Sequence, residues 1–161
     1  MHTKLNYTQT INLFRTISEK HKTIKSFVEI DLEEIKDVVK SAEDLPALVF
    51  TSFKEGMFGA KADNNQSSKR CYFAVIKRYS SKSHDSKTKH QLIDDSRLHA
   101  IDIITYLRRE KLQNRLPGYD PNSVSDGGAV FNKDDGFIGW EFSLKIDTPI
   151  NLAFNPENWN L

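Results

Sequence analysis

Apolar positions along the first part of the chain recur at helical spacing. Ile11, Phe14, Ile17, His21, Ile24 and Val28 form one stripe, and Glu19, Lys20 and Lys22 fall off it. That spacing predicts a helix from Thr8 to about Lys25, with Thr8 or Thr10 as N-cap. Phe27-Val28-Glu29-Ile30 reads as a short bridge. Asp31, with Glu34 three residues later, has the form of a capping box and opens a second helix to about Ser41. Leu32, Ile35, Val38 and Val39 would face inward.

The pattern then changes to period two. Leu45-Pro46 stops the second helix, and Ala47 to Phe53 is β-branched and aromatic, a predicted strand. Gly56-Met57-Phe58-Gly59 leads into the polar stretch 62–68, a predicted surface loop. Arg70 to Tyr79 is apolar on both faces, with Tyr72, Ala74 and Ile76 alternating with Cys71, Phe73 and Val75, so it should be a central strand covered on both sides. Ser80 to Lys89 reads as a loop. His90 to about Gln113 reads as the longest helix, its stripe being Ile93, Ala100, Ile101, Ile104, Leu107 and Leu112, widened by Leu98 and Ile103. Leu116-Pro117-Gly118 ends it, and Tyr119 to Asn122 is loop. Val124 to Asn132 and Phe137 to Asp147 form a hairpin about Asp135-Gly136. In the last strand Ile138, Trp140, Phe142, Leu144 and Ile146 face one side, and Gly139, Glu141, Ser143, Lys145 and Asp147 the other. The expected fold is α+β: an antiparallel or mixed sheet of about four strands, packed by a long helix and an N-terminal helix, in a single domain over 1–161. Residues 149–161 would form an extended tail that carries Phe154 and Trp159.

Composition narrows the function classes. Apolar residues make up 38% and charged residues 28%, and 23 bases nearly balance 22 acids, so overall charge gives no argument for nucleic acid or membrane. The single cysteine, Cys71, sits in an apolar run and reads as a buried small hydrophobe. No signal-peptide h-region follows Met1, and no apolar run reaches the ~20 residues of a spanning helix, so a soluble protein made in a cytoplasm is expected. His21 reads as a structural histidine, and the pair His84-Asp85 as part of a solvated loop. Gly56-Met57-Phe58-Gly59 precedes no helix and is rejected as a nucleotide loop. Scattered histidines and one cysteine do not make a zinc site, and no nucleophile elbow is present. Asp134, Asp135, Glu141 and Lys145 suggest a metal-dependent nuclease, but the acid and lysine spacing departs from that pattern and suits a solvent face. No catalytic, cofactor or metal residue is assigned. Charge is unevenly placed: residues 26–46 hold seven acids and two lysines, and residues 69–115 hold twelve bases and five acids. Such a chain suits head-to-tail assembly, or carries two solvated faces.

The order of elements resembles the tail terminator and tail-completion proteins of long-tailed bacteriophages over most of Ile11 to Ile146. Two features carry it: the Leu45-Pro46-Ala47-Leu48-Val49 approach to the first strand, and the C-terminal pair of strands with Trp140 and Phe142. The loops at 64–68 and 80–90 and the tail after Pro149 are additional. The resemblance implies a virion protein, a ring usually of six self copies that caps the tail tube and joins it to the neck connector. DNA would pass through without sequence-specific binding. Related caps close contractile injection particles that lack a head. The interface residues expected on this reading are Met57, Phe58, Arg108, Arg109, Phe154 and Trp159. The competing class is a small nucleic-acid-binding or nucleic-acid-processing module using the basic region 69–115.

Overall fold

The computed structural model describes residues 5–29, 32–41, 44–59, 65–80, 82 and 85–150. The elements are α1 (Tyr7–Lys20), β1 (Ser26–Glu29), α2 (Leu32–Lys40), β2 (Ala47–Phe58), β3 (Asn65–Arg78), α3 (Ser86–Leu112), β4 (Tyr119–Asn132) and β5 (Phe137–Ile150). Among the described residues one sheet of five strands runs in the order β1-β2-β3-β5-β4. The pairing of β1 with β2 is parallel and all other pairings are antiparallel, so the fold is α+β with a mixed sheet.

The fifth strand is β1, expected only as a bridge. It is four residues long and pairs Ser26–Glu29 with Ala47–Phe50. Parallel neighbours need a crossover, and α2 supplies it. Several boundaries differ from expectation for local reasons. The cap of α1 is Asn6, not Thr8 or Thr10: its side chain accepts the Gln9 amide at 2.8 Å, and Gln9 Oε1 accepts the Asn6 amide at 2.9 Å. Thr10 is buried and donates to the Asn6 carbonyl. The helix ends at Lys20, five residues early, because His21 turns extended. The expected loop at 62–68 is shorter. Gln66 to Ser68 pair with both β2 and β5, Asn65 pairs with β5, and Ser67 is buried. The loop at 80–89 also shrinks, because Asp85 accepts the Thr88 amide at 2.7 Å and starts α3 at Ser86. β4 begins at Tyr119, which pairs with Ile146. β5 continues through Pro149, opposite Gln66. The remainder of the expected tail, with Phe154 and Trp159, lies outside the described residues, as do Asp31 and His84.

Helices cover the sheet on both sides. On one side, Ile11, Phe14 and Ile17 of α1 and Ala100, Ile103 and Leu107 of α3 pack on Leu48, Phe50, Phe73, Val75, Leu144 and Ile146. Phe14 lies 5.0 Å from Phe50 and 5.5 Å from Phe73, centroid to centroid. On the other side, Ile35 and Val39 of α2 cover Val28, Ala47, Val49, Ala74 and Ile76. The central-strand expectation for 70–79 therefore stands. Leu98 and Leu112 leave the expected stripe of α3, and Leu112 is 87% exposed at the last helical position. Trp140 and Phe142 flank the core half-buried, while Ile138, Leu144 and Ile146 are fully buried. Gly139 has a packing reason: a Cβ there would sit 2.1 Å from the Val75 carbonyl oxygen.

Lys69 of β3 is a buried charged side chain on the side of the sheet that α1 and α3 cover. Lys69 is 3% exposed, and its Nζ donates to Ser67 Oγ at 2.9 Å and Thr148 Oγ1 at 2.7 Å and lies 3.4 Å from Glu55. Its three donors thus meet β2, β3 and β5 at once. Glu55 accepts from Ser67 as well, and that bond holds its carboxyl below the usual range against the opposing effect of burial, with Lys69 adding to the lowering. Lysine is rarely buried unless so paired.

Lys69→Ala should cost roughly 3 kcal/mol, the low end for a broken buried pair because Glu55 stays partly hydrated, as read by urea denaturation. Burial pushes the Cys71 thiol up to about 12, although Lys69 pulls the other way. The native protein should accordingly leave a thiol reagent unreacted at pH 8, and the urea-unfolded protein should react within minutes.

Candidate functional site

Four of the six expected interface residues fall among the described residues, and they lie at one end of the sheet. Beyond the β1 pairing, β2, β3 and β5 continue together, β2 and β3 forming the outer part of this arm, and Lys54 to Gly59 are exposed along its outer strand. A bulge between Phe50 and Ser52 sets the phase of that strand. Phe53, Glu55 and Met57 then point to the side of α1 and α3, and Lys54, Gly56 and Phe58 to the other. Met57 and Phe58 are 62% and 51% exposed, opposite Ser67 and Gln66. Ser67 in turn pairs with Thr148, and Tyr119 pairs with Ile146, so the start of β4 lies at the same end. Arg108 and Arg109 end α3 beside it, both exposed, and Arg108 reaches the Pro121 carbonyl at 3.5 Å. The structure thus brings Met57, Phe58, Arg108 and Arg109 to one end of the sheet.

Two hollows accompany this end and its opposite. A hollow of about 590 Å³ lies among Leu13, Lys111, Arg115, Tyr119, Asp147 and Pro149. Its cations are engaged: Lys111 donates to the Pro117 carbonyl, and Arg115 makes two 2.6 Å bonds to Glu110. The Tyr119 hydroxyl and one Asp147 oxygen are buried there with no hydrogen-bond partner among the described residues. The second hollow, about 530 Å³, is apolar and opens between α2 and the far end of β4, over Ile35, Val49, Ala74, Ile76, Val130 and Phe131.

On the face that α2 covers in part, the portion beyond α2 carries a polar network that sequence reasoning missed. Arg70 Nη1 donates to Ser125 Oγ and Ser143 Oγ, each at 2.9 Å, and lies 3.4 Å from Asp126. Ser143 Oγ donates to Asp126 Oδ2 at 2.6 Å, and Ser125 Oγ does so at 3.1 Å. Asp126 has a φ of 56°, in the left-handed region, where β4 slips its register against β5. The network spans β3, β5 and β4, and it holds that irregular backbone in place. The bonds from Ser143 and Ser125, with Arg70, hold the Asp126 carboxyl below its usual range. Glu141 is raised instead, first by burial and then by Asp126, and it has no hydrogen bond among the described residues. Its sequence signal was Gly127-Gly128 interrupting a strand, which marks a bulge without naming its partners.

The nuclease constellation is not assembled. Asn132 Oδ1 accepts the amides of Asp134 and Asp135, and Asn132 Nδ2 donates to Asp135, so both acids belong to the hairpin turn. Glu141 sits within β5, opposite Gly128, with Asp126 as its charged neighbour.

His21, His99 and Asp102 offer ligand atoms within 4.8 Å of one another. Two histidines and a carboxylate suit a divalent transition metal. The hydrogen bonds of His21 oppose one. Its Nδ1 accepts the amides of Thr23 at 3.2 Å and Ile24 at 3.3 Å, which places the proton of the neutral ring on Nε2. Nε2 is the atom that faces Asp102, at 3.7 Å. A metal-bound histidine donates from its other nitrogen, and here that nitrogen accepts.

Asp126 and its charged neighbour Glu141 give opposite responses to neutralisation. A raised Glu141 means the folded protein holds that proton better than the unfolded chain, so its ionised form weakens the fold. Glu141→Gln should raise the melting temperature at pH 7, and the gain should vanish by pH 3, below the ordinary carboxylate range, where both states are protonated. Asp126→Asn should lower it at pH 7, with a loss that shrinks as pH falls through the depressed range of Asp126. Thermal denaturation at the two pH values checks both.

No helix of the described residues is long and apolar enough to cross a membrane. No family model matches this chain, and no curated protein matches it.

Proposed function

We propose that the protein is a self-assembling structural protein of a bacteriophage tail, a ring that caps the tail tube and joins it to the neck connector. The observation that carries this reading is the β2–β3 arm, with Met57 and Phe58 exposed on its two sides. Large exposed apolar side chains at the outer edge of a sheet suit burial against another protein. The cationic end of α3, with Arg108 and Arg109, lies at the same end of the sheet and supplies charge for a partner surface. The acidic stretch 26–46 is the complementary charge on the same chain, as a head-to-tail ring needs. The resemblance in order of elements supplies the tail-tube and connector partners and the usual six copies. DNA passes through such a ring without sequence-specific binding, and the protein is made in the host bacterial cytoplasm.

The nucleic-acid reading draws less support. Its basic region is largely engaged within the fold. Lys69 is buried, Arg70 joins the polar network, Lys77 pairs with Asp95 at 3.0 Å, and Lys111 and Arg115 hold the end of α3. Tyr72 and Phe73 lie within the central strand.

Assembly is the test. Sedimentation of the purified protein, alone and mixed with tail tubes, should give a discrete species well above the 18.5 kDa of one chain. Met57→Ser with Phe58→Ser, and separately Arg108→Glu with Arg109→Glu, should weaken that species at least tenfold in concentration, while circular dichroism and melting temperature stay near those of the parent. A single chain under every condition, tail tubes included, rules the ring out.

A further inference from the structure

We propose that His21 is a pH-sensitive pin on the turn between α1 and β1: the neutral ring holds the turn closed, and the protonated ring releases it. The proposal is independent of assembly and concerns the single chain.

The chain reverses between Lys20 and Ser26 in five residues. The His21 amide still closes α1, donating to the carbonyls of Ile17 and Ser18. The His21 side chain then does a second task. Its Nδ1 accepts the amides of Thr23 and Ile24, two donors that neither α1 nor β1 pairs. Only an unprotonated nitrogen can accept them. A proton on Nδ1 turns the acceptor into a third donor facing two others, so both bonds are lost together.

The surroundings do not compensate. From α3, Asp102 faces Nε2 at 3.7 Å, but that nitrogen already carries its proton in the neutral ring, and Asp102 is 64% exposed. An exposed pair at that distance gives little to either state. Also from α3, His99 meets the His21 ring edge-on at 5.4 Å. Lys77 of β3 and Asp95 of α3 face His99 from beyond it and pair with each other. Burial, then Lys77 and His21, hold His99 below the usual histidine range, against the pull of Asp102 and Asp95. It stays neutral at pH values where an ordinary histidine is charged, and so it supplies no counter-signal. The segment that the pin releases is short. Below it the turn remains tied by the Lys25 amide to the Pro46 carbonyl at 2.8 Å and by Ser18 Oγ to the Ser26 carbonyl at 3.1 Å. The opening is therefore local to residues 21–24.

Hydrogen exchange at single-residue resolution on the full chain tests this at pH 7.5 and at a lower pH at which the imidazole nitrogen spectrum of the parent shows both His21 ring nitrogens protonated. After correction for intrinsic rates, protection of the Thr23 and Ile24 amides should fall by about tenfold at the lower pH, a loss of the size expected when such bonds open. His21→Asn keeps an acceptor oxygen near the position of Nδ1 and does not titrate, so it should stay protected at both pH values. His99→Asn should behave as the parent. Equal protection of the parent at both pH values overturns the proposal, as does an undiminished loss in His21→Asn, or loss of the pH response in His99→Asn. Should His21→Asn fail to fold, the imidazole nitrogen spectrum of the parent at pH 7.5 decides: a proton on Nε2 supports the pin, and a proton on Nδ1 rules it out.

Discussion

The run from Cys71 to Ile76 is apolar on both sides, and that forces the arrangement of everything else. A strand with one wet face can sit at the margin of a sheet, whereas this one needs a neighbour along each edge and cover over each face. β2 and β5 supply the edges, and β5 pairs with β3 over fourteen residues with no slip in register. α1 and α3 cover one face, and α2 covers part of the other. Because α2 is short, its cover stops after Val49 and Ala74. The remainder of that face must be stabilised by other means, and the Arg70 network is what stands there.

The same division explains where charge is buried. Lys69 lies on the side of α1 and α3, past the main apolar contacts, where three strands still run together. An aliphatic residue at 69 would leave the Thr148 hydroxyl to satisfy alone and Ser67 with Glu55 only. The lysine meets both and draws Glu55 in from β2. At such points the sheet is held by hydrogen bonds of fixed direction rather than by apolar area, which makes the pairing there specific in register.

What could be read from residues alone follows from the range of the interaction involved. The alternation from Phe137 to Asp147 and the double-sided run at 71–76 are local patterns, and both elements formed as expected. β1 was missed because four residues show no period, and its parallel partner lies across a helix. The polar start of β3, up to Ser68, reads as a loop because its strand character comes from pairing, on both edges from Gln66 onward, and not from its side chains. The candidate site was legible in part. Large apolar residues between glycines marked Met57 and Phe58, and the last turn of the long helix marked Arg108 and Arg109. Asp126 was not legible, since a left-handed aspartate has no signature beyond the glycines after it. The role of His21 depends on where two amides point, which no spacing encodes.

The bulge on β2 has a consequence for how this strand tolerates change in length. Phe50 pairs with Phe73 and Ser52 with Tyr72, which leaves Thr51 as a supernumerary residue in the ladder. Excising Thr51 would close the ladder without moving any partner of the arm, so that Glu55 would still reach Lys69. Excising Ser52 or Phe53 would instead force a choice between shifting the whole arm by one rung and absorbing the gap at the bulge. Strand length and strand register are thus uncoupled at one position only. Through a history of insertions and deletions, the arm can keep its phase while the sheet gains or loses its bend at Thr51.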